Sequence, residues 1–293
     1  MRPAGALTVT DVSQIKKYRK RVENATILFK FYLSLAERDR LFYLSIESWK
    51  MMRNIKLIIE YEGTKFCGWQ YQPNCRTVQG VIEDAILRLT HERTRITGSG
   101  RTDSGVHALE QVANFRIDSP HPIHVFRTGL NAWLPDDVKI IDAQEVDIYF
   151  NACRDARWRR YRYQVMRRFS PIHRRHALYV KGDLDVERMQ KAVPIILDTL
   201  NFRSFCSPKT DSTNFYVQVI DCFWKQEGEM IIFEICANRF LYSMVRILVG
   251  SFLEIGKNKL SIHEMKEILT AQDRSKAPAT AQAKGLFLVH VTY

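Results

Sequence analysis

From residue 53 onward, short apolar runs alternate with segments of helical period. "NIKLIIEYEG" (54–63) is a strand-like run closed by Gly63. Thr77 then caps a segment in which Val78, Ile82, Ala85, Ile86 and Leu89 share one helical face. "EQVANFRI" (110–117) and "VKIIDAQEV" (138–146) read as strands, and between them lies a helix that ends near "NAWLPDD" (131–137). The second half repeats the theme. "RWRRYRYQV" (157–165) has a period of two, with Tyr161, Tyr163 and Val165 on one face and Arg160 and Arg162 on the other. Asp185 caps a helix whose Met189, Val193, Ile196, Leu197 and Leu200 share a side. Strands follow at "FYVQVIDCFW" (215–224) and "EMIIFEICAN" (229–238), then a long helix from about Phe240 to Gly256. Ser261 and Glu264 form a capping box for one more helix, and "GLFLVHVTY" (285–293) closes the chain as a strand.

The pattern predicts an α/β (α+β) protein of two subdomains, 52–156 and 157–293, built on mainly antiparallel sheet with a cleft between them. Residues 1–51 read differently, mixing the basic cluster Lys16, Lys17, Arg19, Lys20 and Arg21 with short apolar runs that charges interrupt. Their Asp11, Glu23, Glu37, Asp39 and Glu47 argue against a transit peptide, which is poor in acids, and favour a non-catalytic extension. Met52 is a candidate natural start.

Charge changes the picture more than composition does. Lysine and arginine number 44 against 32 acids, a net charge of +12 over 293 residues, which attracts polyanions and puts nucleic acid first among partners. No stretch reaches the roughly 18 apolar residues of a membrane span. The six cysteines contain no CxxC pair and none joins a histidine at zinc-ligand spacing, so neither a structural metal nor a disulfide framework is expected, and a reducing, cytoplasmic setting fits.

Two stretches carry chemistry. "GSGRTDSGVH" (98–107) surrounds the single carboxylate of Asp103 with glycines 98, 100 and 105, which allow sharp turns and close approach of a ligand. An ordinary glycine-rich turn is the plain alternative. A phosphate-binding loop fails for want of GK[ST], and an aspartic protease needs a second carboxylate that only a homodimer would supply. Read alone, His107 is a hydrogen-bonded structural residue. From Arg154 to Arg175 nine arginines and one acid interleave with Trp158, Tyr161, Tyr163 and Phe169. Guanidinium groups grip phosphate and aromatic faces stack on bases, so the mixture suits RNA. Arg246, in "FLYSMVRILVG", lies off the apolar stripe of its helix, beside Tyr242 and Gly250, where an exposed arginine is the plain expectation.

"GRTDSGVHA" from Gly100 resembles the catalytic signature of the tRNA pseudouridine synthase A family. "YEGTKFCGWQ", "RTVQG", "QVANF", "NAWLPDD", "RRYRY", "NRFLYSMVRILVGSFLEIG" and "APATAQAKGLFLVHVTY" are similar to further family motifs in the expected order, across residues 52–293. The resemblance implies two related subdomains in the pseudouridine synthase fold, meeting at a basic cleft, in a homodimer that holds tRNA across both subunits. It implies an isomerase that converts uridine to pseudouridine in the anticodon arm, typically at positions 38, 39 and 40, with no cofactor and no metal. Asp103 would be the essential aspartate, Arg101 the residue that helps extrude the nucleotide and fills its place, and Tyr161 the platform that stacks on the uracil and assists proton removal. Arg246 would pair with Asp103, favouring the anionic carboxylate. Leu286 would line the pocket, and Tyr163, Arg160, Arg162 and His107 complete the expected substrate-binding set. The chain departs from the family at Asn151–Ala156, Asp198–Phe202 and Gln218, which bears on RNA contacts more than on the catalytic set. A non-catalytic RNA-binding or RNA-folding protein is the alternative.

Overall fold

The computed structural model describes residues 52–210 and 212–293, so the extension expected over 1–51 lies outside the described residues. Nine strands form one sheet. They are β1 (Arg53–Tyr61), β2 (Thr97–Gly98), β3 (His107–Ile117), β4 (Val138–Val146), β5 (Trp158–Met166), β6 (Leu178–Tyr179), β7 (Val219–Glu227), β8 (Met230–Ala237) and β9 (Leu286–Thr292). The order across the sheet is β4-β1-β3-β9-β5-β8-β7, with β2 added to β3 and β6 to β5. Most pairings are antiparallel, as expected, but β9 runs parallel to β3 while running antiparallel to β5.

That placement joins the two halves. β1 to β4 come from 52–156 and β5 to β9 from 157–293, and the carboxyl-terminal strand sits between β3 and β5, so the sheet continues through the anticipated boundary. Residues 53–293 form one compact unit. At the β5–β9 junction the register slips between Arg160 and Tyr161, where Tyr161 faces Leu288 and Arg160 faces His290. The extra residue is Val289, so the irregularity lies on β9, while β5 keeps its regular alternation against β8.

Local signals account for the helices. Thr77 accepts the Gly80 amide to open α1 (Val78–Thr90), and α2 (Ile123–Trp133) packs against β4. Asp185 caps as expected, by accepting the Arg188 amide, but the single helix foreseen beyond it is two, α3 (Val186–Lys191) and α4 (Val193–Leu197). Pro194 explains the break, since it lacks an amide hydrogen and belongs in a first turn. The long helix α5 covers Met244–Gly256, starting four residues later than the hydrophobic pattern indicates. The delay has a conformational cause: Ser243 is left-handed, at φ 57°, which helical geometry does not admit. The capping box at Ser261 and Glu264 opens α6 (Ile262–Ala271).

Most of α5 is buried, with Phe252 packed edge-on to Trp224 and against Phe233. Gly250 is required there: a Cβ on it would stand 2.1 Å from the Ala279 carbonyl oxygen, so only glycine lets the 277–283 segment lie along this face of α5. Among the described residues no helix is long and apolar enough to cross a membrane.

One expectation is corrected. Cys67 and Cys75 are joined as a disulfide, with their Cα atoms 6.2 Å apart. The turn between them doubles back so that the Cys67 amide donates to the Arg76 carbonyl, a proximity invisible in an eight-residue spacing without CxxC form. Of the remaining cysteines, Cys153 is exposed and Cys206, Cys222 and Cys236 are buried. Alkylation of the native protein without reductant is therefore expected to label Cys153 first, and unfolding without reductant to expose four thiols in all. Six labelled cysteines by intact mass would rule out the crosslink.

Candidate active site

The loop between β2 and β3 carries Asp103, and it is held far more firmly than its glycine content implies. The Thr102 carbonyl accepts the Trp69 amide at 3.1 Å, and the Thr102 hydroxyl lies 2.8 Å from the Tyr61 hydroxyl. Gly105 donates its amide to the Phe66 carbonyl, which also accepts from the Ser104 hydroxyl. The buried Gln111 side chain accepts from Ser99 at 2.6 Å and donates to the Gly100 carbonyl at 2.9 Å. Gly105, at φ 78°, closes a turn in which the Val106 amide donates to the Asp103 carbonyl at 3.1 Å, while Gly100 has open space beside it. Loop hydrogen bonds of this number fix the carboxylate's position before any ligand arrives.

Arg246 meets that carboxylate from the first turns of α5. Its Nη1 lies 2.7 Å from Asp103 Oδ2, and its Nε donates to the Ala281 carbonyl at 2.8 Å. The Ala281 amide donates back to the Arg246 carbonyl at 3.1 Å. Both paired side chains are mostly buried, at 19% and 16% exposure, so the plain expectation of a solvated helix arginine does not hold. Gly250 is the reason, because it draws the 277–283 segment over the face that a helical wheel assigns to solvent. The Ser243 hydroxyl also donates to Asp103 Oδ2, at 2.7 Å. Among the described residues Oδ1 takes no hydrogen bond.

Tyr161 and Tyr163 occupy the same face of β5, opposite Leu288 and Leu286 of β9. Tyr161 packs edge-on to Phe240 at 4.9 Å between ring centres. Burial lifts its phenol far above the ordinary range, and the charge of nearby Asp103 acts in the same direction, so Tyr161 is a neutral phenol at physiological pH. Tyr163 is wholly buried and donates to the Gln282 carbonyl at 2.7 Å, which makes it a support of the segment that braces Arg246. Leu286 is buried on the tyrosine face. Arg101 is exposed and makes no hydrogen bond or ion pair among the described residues.

Arg160 and Arg162 project from the other face of β5. Arg160 Nη1 lies 2.7 Å from Asp221 and 3.3 Å from Glu234, and Arg162 Nη2 lies 2.8 Å from the same buried Glu234. The structure thus brings together Asp103, Arg246, Tyr161, Tyr163 and Leu286, while these two arginines are turned away. Across Arg154–Arg175 several other guanidiniums are also engaged, Arg154 with Asp155 and Arg167 with Asp183. Arg157, Arg168 and Arg175 are exposed and outside such pairs.

Sequence reasoning misses two residues. Ser243 falls inside the helix that the hydrophobic pattern indicates. Arg159 donates to the carbonyls of Ser99, Cys153, Ala156 and Asn238, tying the end of β8 to the entry of the Asp103 loop. Its signal was available, since period two puts residue 159 on the tyrosine face.

His107 is structural. Its Nδ1 accepts the Gly63 amide at 3.0 Å, its Nε2 is 3.2 Å from the carbonyls of Arg175 and Lys284, and its ring stacks on Phe287 at 4.6 Å. It borders a cavity of about 320 Å³, with Glu62 and His176, that is lined by neither Asp103 nor Arg246. Glu62, His107 and His176 bring ligand atoms within 4.8 Å of one another, but the only imidazole nitrogen that His107 turns towards Glu62 is already occupied by Gly63.

A mixed, mainly antiparallel α/β sheet that presents one carboxylate, clamped by an arginine from a distant helix and flanked by a neutral buried tyrosine, defines the class of protein. The chain belongs to the tRNA pseudouridine synthase family, whose model matches residues 57–154 and 199–293. It is 43% identical over 244 residues to tRNA pseudouridine synthase A of Caldicellulosiruptor bescii, 83% of this chain and 100% of that one. The corresponding protein of Acetivibrio thermocellus is 44% identical over the same shares, and that of Clostridium botulinum strain Alaska E43 39%.

Burial holds the His107 imidazole below its ordinary pKa, opposed in part by the charge of Glu62 and reinforced by His176. The unfolded chain therefore takes up the proton first. The stability due to a neutral His107 is full above the ordinary value of about 6.5 and is lost as the pH falls below it. Denaturant titrations are expected to show stability declining from about pH 7 to pH 5.5, with a shallower decline in H107N.

Proposed function

We propose that the protein isomerises uridine to pseudouridine in tRNA, with Asp103 as the catalytic group. The observation that supports this most directly is the Asp103 carboxylate, held through one oxygen by Arg246 and Ser243 while the other takes no hydrogen bond. In the reaction the bond from C1′ to N1 breaks, the uracil turns, and C5 bonds to C1′. C5 loses its hydrogen as a proton and N1 gains one, so no oxidant, reductant or water is consumed. The free oxygen serves either of two routes, attack on C1′ followed by release or removal and return of a ribose proton, and the carboxylate is regenerated in both.

The uridine must leave its stack to be reached. Exposed, unpaired Arg101 is the side chain to take its place, with Tyr161 under the uracil and Leu286 beside it. A phenol as hard to ionise as that of Tyr161 acts as a platform and hydrogen-bond donor, not as a resting phenolate. The halves 52–156 and 157–293 act as the two walls of the cleft, because Asp103 and Arg101 come from one and Arg246 and Tyr161 from the other. The targets are uridines at positions 38, 39 and 40 of the anticodon arm, and the working form is a homodimer with tRNA across both subunits, as the family resemblance implies. A purely RNA-binding role leaves the clamped carboxylate without a task, since a buried negative charge repels phosphate.

Tritium release from C5-labelled uridine in tRNA transcripts tests this reading. D103N is expected to slow release by roughly a thousandfold or more, with tRNA affinity little changed; full activity in D103N would refute it. Binding to tRNA should weaken steeply as salt rises, because each phosphate contact releases counterions. Substituting Arg157, Arg168 and Arg175 should reduce that salt slope more than substituting Arg160 and Arg162, whose charges are already spent on Asp221 and Glu234.

A further inference from the structure

Ser243 stands directly before α5 in the position of a helix cap, yet its hydroxyl caps nothing. Its backbone is left-handed, at φ 57° and ψ 13°, a conformation that serine rarely adopts and that persists where the surroundings enforce it. The hydroxyl points across the sheet junction to Asp103, 140 residues away in sequence, and donates to Oδ2 at 2.7 Å. Arg246 Nη1 reaches that same oxygen, also at 2.7 Å. Two donors therefore converge on one oxygen of the carboxylate.

We infer that Ser243 is a positioning residue: with Arg246 it fixes the rotation of the Asp103 carboxylate, so that Oδ2 is held by the protein and Oδ1 is the oxygen presented to the ribose. The inference rests on the proposed isomerase reading. An arginine alone can bind a carboxylate through both oxygens in a bidentate fork. Here Nε is turned to the Ala281 carbonyl and Nη1 alone is hydrogen-bonded to Asp103, so the guanidinium gives the carboxylate one donor, and one hydrogen bond leaves the carboxylate free to turn about it. The serine supplies the second direction. The left-handed backbone is what aims it, and the same backbone is why α5 begins at Met244 instead of near Phe240.

The test separates the hydroxyl from the backbone. Glycine adopts φ near 57° without strain and has no donor, while asparagine tolerates the conformation and carries an amide donor. Single-turnover tritium release with saturating enzyme is expected to fall about tenfold or more in S243G and to recover most of the loss in S243N. Affinity for tRNA and the denaturant midpoint should stay near wild type in both. An S243G enzyme with wild-type turnover, or one whose only defect is tRNA affinity, would overturn the inference. D103N is run alongside: if it is inactive while S243G is normal, the role of Ser243 alone fails; if D103N is active, the isomerase reading fails first.

Discussion

The ion pair between Asp103 and Arg246 is the interaction on which the rest of the structure depends. Its members are 143 residues apart, one on a loop of the first half and one on the central helix of the second, and both are mostly removed from water. Taking a single charge out of water is costly, and each member is stable there because the other is present with further hydrogen bonds around it. Much of the fold can be read as the means of keeping them together. β9 inserts between β3 and β5 and brings the halves into one sheet, and Gly250 lets the 277–283 segment brace the guanidinium from behind. Tyr163 fastens that segment in turn.

The loop that carries the carboxylate illustrates how glycine content can mislead. Glycines 98, 100 and 105 read as flexibility, yet the backbone around them is tied to Phe66, Trp69, Gln111 and Arg159. Gly98 lies so close to the Trp69 indole that a Cβ would come within 2.6 Å of it. Small residues here permit close packing of the loop against its neighbours, and the packing supplies rigidity. A preorganised carboxylate needs no rearrangement when a substrate arrives, which is where an electrostatic site has its advantage.

The arginines divide by the same logic. One strand, β5, sends Arg159 to carbonyl oxygens beside the site and Arg160 and Arg162 to acids on the far face, so three neighbours in sequence do two different jobs. Net positive charge announces a polyanionic partner, but which guanidiniums remain available to it depends on where the acids lie. Glu234 and Asp221, on β8 and β7, settle that for Arg160 and Arg162.

By itself the sequence determined what depends on near neighbours: the seven long strands, the caps at Thr77, Asp185 and Ser261, and the faces of β5. These follow from side-chain periodicity and from hydrogen bonds spanning three or four residues, both readable along the chain. Only the tertiary structure decided that Arg246 is buried against Asp103, that Ser243 breaks the helix to reach the same oxygen, that Cys67 meets Cys75, and that β9 runs parallel to β3. Each of those is a contact between segments whose separation in space is set by strand order and close packing. Local propensity carries no record of it, so a helical wheel shows Arg246 facing water until another segment is laid over it.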